Sequence, residues 1–198
     1  MQGLFKREDL QIVRSYKIRG AYNMMSQMSS EQLAKGVVCA SAGNHAQGFA
    51  YSCKKLNVKG VVFMPIPSPQ QKVSQTKMFG EHFVEVKLVG DTFDDTAKAA
   101  KEYTIANGMT FIPPFDHPFI MAGQGTVGVE ILNDYNELRS ELGSDLRDTP
   151  IDYIFVPVGG GGLSAGVGYY FKQHSPTTKI IGLEPAGAPS MLTALKEG

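Results

Sequence analysis

Short runs of apolar, β-branched residues recur along the chain, separated by longer segments of helical periodicity. The runs are GVVCA at 36–40, VKGVVFM at 58–64, HFVEVKLV at 82–89, MTFI at 109–112, DYIFVPV at 152–158 and TKIIGLE at 178–184. Their uninterrupted apolar character predicts strands buried on both faces, as parallel strands are. From Gly43 to Leu56, Phe49, Cys53 and Leu56 recur at spacings of four and three and predict an amphipathic helix. The segment at 92–108 consists of good helix formers and opens on Thr92 with Asp95 following, a helix start. Alternation of this kind means an α/β fold. Pro65, Pro67 and Pro69 break the chain after one strand and Pro113 and Pro114 after another, while Asn136 to Pro150 is polar and reads as a loop.

A length of 198 residues accommodates one ordinary domain or two small ones. Hydrophobic residues are 42% and charged residues 19%, a composition that excludes a disordered tail and a coiled coil. Nineteen Lys and Arg balance nineteen Asp and Glu, which leaves no excess charge for nucleic acid or an anionic membrane. A small-molecule partner is expected. Cys39 and Cys53 are too few for a disulfide scaffold, and no apolar stretch has the length of a signal peptide or membrane span, so a reducing, cytoplasmic location is expected. His45, His82, His117 and His174 are scattered without carboxylate or cysteine partners at ligand spacing, and no metal site is expected.

Three segments carry candidate chemistry. In SYKIRGAYNMMSQM, starting at Ser15, the residues Ile18, Ala21, Tyr22, Met24, Met25 and Met28 form one apolar face, and Lys17 falls within it. With Ser15 as cap, Lys17 sits in the first helical turn, where the helix dipole and partial burial both favour the neutral amine that forms Schiff bases. The alternative is a stem that covers apolar surface while its charge reaches water. SAGNHAQG, from Ser41 to Gly48, follows a strand and opens a helix, a place for a carboxylate or phosphate, or an ordinary cap. VPVGGGGLSAG sets Gly159, Gly160, Gly161 and Gly162 between a strand and a helix, which points to close approach of backbone to a phosphate. Gly160, Gly162 and Ala165, with Glu184 at the end of the next strand, also fit a dinucleotide-binding unit of an NAD-dependent oxidoreductase. Gly162, Ser164 and Gly166 fit a nucleophile elbow, but no histidine follows His174.

KREDLQ with SYKIRGAYN, then SAGNHAQG, GQGTVGVEI and VPVGGGGLSAG, in this order from about Leu4 to Leu195, resemble the pyridoxal-phosphate-dependent serine/threonine dehydratases. The wording KREDLQ is closer to the biosynthetic threonine dehydratases. The resemblance implies two domains with open parallel twisted sheets, the tryptophan-synthase-beta-like (fold type II) architecture, with the large domain incomplete. It implies a small domain at 16–113 and a partial large domain from 1–15 and 114–198. It matches Lys17 to the lysine that holds pyridoxal 5'-phosphate and removes the substrate's α-proton. Gly159 to Gly162 with the Leu163 amide match the phosphate loop, and Asn44 the partner of the cofactor's ring hydroxyl. Ser41, Gly43, Asn44 and His45 match the loop that receives the substrate carboxylate.

The implied reaction is dehydration and deamination of L-threonine to 2-oxobutanoate and ammonia, the first step of isoleucine biosynthesis, with serine dehydration or racemisation as alternatives within the family. Homo-oligomers are common among such relatives. Ser15 and Gln124 to Thr126 resemble supporting positions that capping and packing explain equally well, and Asp116 reads as a cap or turn residue. Tyr16 stands where phenylalanine is commoner. Relatives begin ahead of KREDLQ and continue beyond Gly198 to the residue opposite the pyridine nitrogen, so the chain reads as a fragment with weak turnover or none.

Overall fold

The structure, a computed structural model, describes residues 3–142 and 150–197. It divides into two compact units, one formed by Arg7–Pro114 and the other by the residues before Arg7 together with those after Pro114. No helix among the described residues is long and apolar enough to cross a membrane.

In the first unit, β1 (Val37–Ala40), β2 (Gly60–Met64), β3 (Val84–Leu88) and β4 (Thr110–Phe111) form a parallel sheet in the order β3-β2-β1-β4. The helices are α1 (Lys17–Ser26), α2 (Ser30–Lys35), α3 (Asn44–Leu56), α4 (Gln70–Gly80) and α5 (Phe93–Ala106). Every residue of β1 and β2 is buried, because helices cover both faces. Val38, Ala40, Val61 and Phe63 pack with Ala100 and Tyr103 of α5. On the opposite face Gly60 has no room for a Cβ, since Cys53 Sγ and the Phe49 ring of α3 lie against it. The start of α5 is the predicted one: Thr92 and Asp95 exchange the two hydrogen bonds of a capping box.

The first unit begins nine residues earlier than position 16, because the Glu8 carboxylate accepts from Arg19 of α1 at 2.8 Å and Val13 is fully buried. Lys6, by contrast, pairs with Glu130 at 2.7 Å and Asp134 at 2.8 Å in the second unit. On α1 the predicted apolar face is buried at Ala21, Met24 and Met25, while Tyr22, at the rim of that arc, is exposed.

The second unit contains α6 (Pro118–Leu142), β5 (Tyr153–Pro157), α7 (Gly162–His174), β6 (Lys179–Leu183) and α8 (Ser190–Glu197), with β5 and β6 paired in parallel. Two expectations fail here. The polar stretch from Asn136 is helical through Leu142, since its Glu, Leu and Arg residues extend a helix already nucleated by packing; the remainder of that expected loop, 143–149, lies outside the described residues. The β5 strand is buried on one face only: Ile154 and Val156 are covered, while Tyr153 and Phe155 are exposed. An apolar run records what a strand is able to bury, and among the described residues nothing covers that second face.

α6 and α7 cross where both lack side chains. A Cβ on Gly166 would meet the Met121 carbonyl and, at 2.6 Å, the Gly125 nitrogen, whereas one on Gly168 would meet nothing within 4 Å. Gly166→Ala is expected to destabilise by about 1–3 kcal/mol through overpacking. Gly168→Ala should instead stabilise by about 0.5–1 kcal/mol, because glycine in a helix interior costs backbone entropy. Urea unfolding of the two variants checks the opposite signs.

Candidate functional site

Lys17 is the first residue of α1 and the N-cap position is Tyr16, without a side-chain cap bond; Ser15, one residue further out than expected of a cap, accepts from the Lys17 backbone N–H through Oγ at 3.2 Å. The first turn of α1 rests directly on Gly48 of α3, where a Cβ would lie 2.9 Å from the Ile18 nitrogen and 3.0 Å from the Lys17 carbonyl carbon. The Lys17 side chain is half-buried, and its Nζ donates to the Pro114 carbonyl at 2.7 Å. Burial pulls the amine's pKa below the ordinary lysine value. The Tyr16 ring lies 5.5 Å from Nζ, and burial pushes its phenol up.

The loop from Ser41 is fastened at both ends. Its N–H donates to Phe63 at 3.0 Å, and its Oγ accepts from Gly43 N–H at 3.1 Å, turning the chain into α3. Asn44, exposed at the first position of α3, has no hydrogen-bond partner for its side chain among the described residues. The amides that a helix leaves unpaired in its first turn follow, and with the helix dipole they suit an anion. The His45 side chain points elsewhere. It is 3% exposed, and Nε2 lies 3.0 Å from the Ile112 carbonyl, which requires the tautomer with the proton on Nε2. Burial, with the Lys17 charge as a smaller cause, lowers its pKa to about 4. Its imidazole is thus committed to backbone, and only its main-chain amide belongs to the anion-facing turn.

In the second unit, Gly159 to Gly161 form the turn after β5, and Gly162 begins α7. Gly161 has φ +82°, a conformation that disfavours any side chain. The ring of Phe115 occupies the place of a Cβ on Gly160, and the Phe115 carbonyl would lie 3.0 Å from one on Gly162. Packing alone therefore demands several of these glycines. Gly159 is the exception, with open space around it. The turn opens on a cleft of ≈ 430 Å³ bordered by Phe115, Asp116, Met191 and Gly160 to Gly162. The Leu163 amide stands in the first turn of α7, among the groups such a helix leaves for an anion.

Other candidate residues make contacts within the fold or lie at the cleft. The Ser164 hydroxyl donates to the Gly161 carbonyl at 2.9 Å, so it is no exposed nucleophile. The Glu184 carboxylate accepts from the Met191 and Leu192 amides at 2.7 and 2.9 Å, capping α8. An acid so engaged is not offered to a ribose, and the dinucleotide reading loses its acid. Thr126 Oγ1 donates to Gly123, and Gln124 is buried within α6. The cap of α6 is His117, whose Nδ1 accepts from Phe119 N–H at 3.2 Å, while Asp116 is exposed at the cleft. The proline at 118, in the first helical position, was the signal for that cap.

The family model for pyridoxal-phosphate dependent enzymes matches residues 2–198. The chain belongs to this family. It is 58% identical over 193 residues to the biosynthetic L-threonine dehydratase of Halalkalibacterium halodurans and 56% identical to that of Bacillus subtilis, in each case over 98% of this chain. Those matches take in 44% and 43% of the relatives, so the chain spans under half the length of the curated proteins it resembles. Among solved structures, threonine deaminase isoform 2 from Solanum lycopersicum superposes with a TM-score of 0.86 at 48% identity, covering 98% of this chain and 52% of that one. Maize serine racemase gives the same TM-score at 31% identity, over 98% of this chain and 54% of the other. These likenesses establish the fold type II pyridoxal-phosphate architecture.

The α8 cap has a pH signature. The backbone donors of Met191 and then Leu192 hold the Glu184 carboxyl below its ordinary pKa. Its contribution to folding is accordingly complete above the unfolded carboxylate range, about pH 4.3, and is lost as pH falls through the lower folded value. The amide chemical shifts of Met191 and Leu192 should follow that titration, and Glu184→Gln should abolish it. An unchanged titration in the variant would contradict the cap.

Proposed function

We propose that the chain binds pyridoxal phosphate through Lys17 and that, within the length of its relatives, it serves dehydration of L-threonine to 2-oxobutanoate and ammonia. The observation that carries this is the half-buried Lys17 amine, drawn below ordinary lysine basicity and held by a backbone carbonyl. The residues present fit such a cofactor. A weakly basic amine suits Schiff-base formation with an aldehyde, and an open glycine turn at a helix N-terminus suits a phosphate. Threonine is favoured over serine by the similarity to biosynthetic threonine dehydratases.

Bound pyridoxal phosphate supplies an electron sink that acidifies the amino acid's α-hydrogen and permits loss of its β-hydroxyl. The remaining work falls to the chain's own groups. The Gly159–Gly162 turn and the Leu163 amide would hold the phosphate, and the Asn44 side-chain amide would serve the ring hydroxyl. The Ser41, Gly43, Asn44 and His45 loop receives the substrate carboxylate through its amides and the Ser41 hydroxyl. The Lys17 amine, when uncharged, would take the α-proton on Nζ. Depressed basicity serves both tasks, since an ammonium is neither nucleophile nor base.

The test is spectroscopic and covalent. The purified chain mixed with pyridoxal phosphate should develop a visible absorption band, and borohydride reduction should leave the label on the Lys17 peptide. Lys17→Ala should lose both. In a chain extended to the length of the relatives, the same substitution should lower threonine turnover by at least about 10²-fold, the low end for removal of a positioned base. A label confined to other lysines would overturn the assignment.

A further inference from the structure

We propose that His45 is a positioning residue for the Lys17 amine, acting through the stiff segment Ile112–Pro113–Pro114. Two side chains from different helices end on this segment: His45 Nε2 on the Ile112 carbonyl at 3.0 Å and Lys17 Nζ on the Pro114 carbonyl at 2.7 Å. The Ile112 backbone is fixed from the other side as well, since its N–H donates to Val38 of β1 at 2.8 Å and its side chain is fully buried. Two prolines then follow. Each locks its own φ near −65°, and each restricts the residue before it to extended backbone. The path from the Ile112 carbonyl to the Pro114 α-carbon is thus stiff, with ψ of Pro114 left to aim the second carbonyl, so fixing the first carbonyl constrains the position of the second.

α3 grips the same lysine a second time. Gly48, three residues after His45 and on the same side of the helix, is the seat on which the Lys17 and Ile18 backbone rests. One helix therefore sets both ends of the lysine: the main chain through Gly48, and the amine through His45 and the proline segment. Lacking His45, the Pro114 carbonyl would drift and the amine would move toward water. That the amine's placement matters for chemistry rests on the cofactor reading above, but the placement itself is measurable without any cofactor.

The experiment is competitive acetylation of the folded chain with trace acetic anhydride across pH, read by mass spectrometry on the Lys17 peptide and on the same peptide of the urea-unfolded chain. Two titratable groups near the amine are Tyr16 and His45; repeating the profile in Tyr16→Phe follows the first, and the His45 variants below follow the second. In the folded wild-type chain the midpoint should lie below that of the unfolded chain. His45→Phe, which keeps a ring but donates nothing, should shift it upward toward the unfolded value. His45→Gln, which restores an N–H at similar reach, should return it to the wild-type position. A folded His45→Phe chain with an unchanged midpoint would overturn the proposal, as would an equal rise in both variants. Should His45→Phe fail to fold, Pro113→Ala loosens the segment while leaving both hydrogen bonds possible, and there a rise supports the proposal and no change refutes it. Because no pyridoxal phosphate is present, failure here and failure of cofactor capture are separate results.

Discussion

An amine that must be uncharged near neutral pH has to be withdrawn from water, yet it must stay within reach of a ligand. Each unit by which its pKa falls corresponds to about 1.36 kcal/mol of disfavoured protonation, and folding has to supply it. Here the withdrawal is partial: Lys17 is half-buried, and the Pro114 carbonyl satisfies Nζ without adding a negative charge that would restore its basicity. A carboxylate in the same place would have had the opposite effect. The neighbouring His45 follows the same logic, since an imidazole buried beside that amine stays neutral.

Glycine is used for distinct purposes around this chemistry. Gly48 and Gly166 let one stretch of backbone lie directly on another, so their role is close packing. Gly161 is needed for its positive φ at the start of α7. Gly160 makes room for the Phe115 ring. Of the four glycines in that turn, Gly159 alone would accept a Cβ without contact. A row of four glycines thus reads as one motif in the sequence but divides in space into one conformational position, two packing positions and one open position.

The N-terminal ends of three helices show one electrostatic principle serving several ends. Each leaves amides unpaired and carries the positive end of a dipole. At α8 the chain supplies its own anion, Glu184, and the site is structural. At α3 and α7 no carboxylate of the described residues is hydrogen-bonded to the first-turn amides. The same geometry is therefore a cap where the chain brings its own acid and a candidate anion site where it does not.

Much of the local structure was legible in the residues. Six apolar runs became six strands, Thr92 with Asp95 became a capping box, and the arc containing Lys17 became the packed side of α1, because these depend on neighbours a few residues away. What the sequence by itself determined was the local periodicity and the Thr92–Asp95 capping box, and it named the candidate residues for the chemistry. Only the tertiary structure decided that His45 turns to Ile112 rather than outward, that Glu184 is consumed by α8, that His117 rather than Asp116 caps α6, and that one face of β5 stays exposed. Each of those depends on which partner a polar or apolar group meets across the fold, and periodicity along the chain carries no record of that partner.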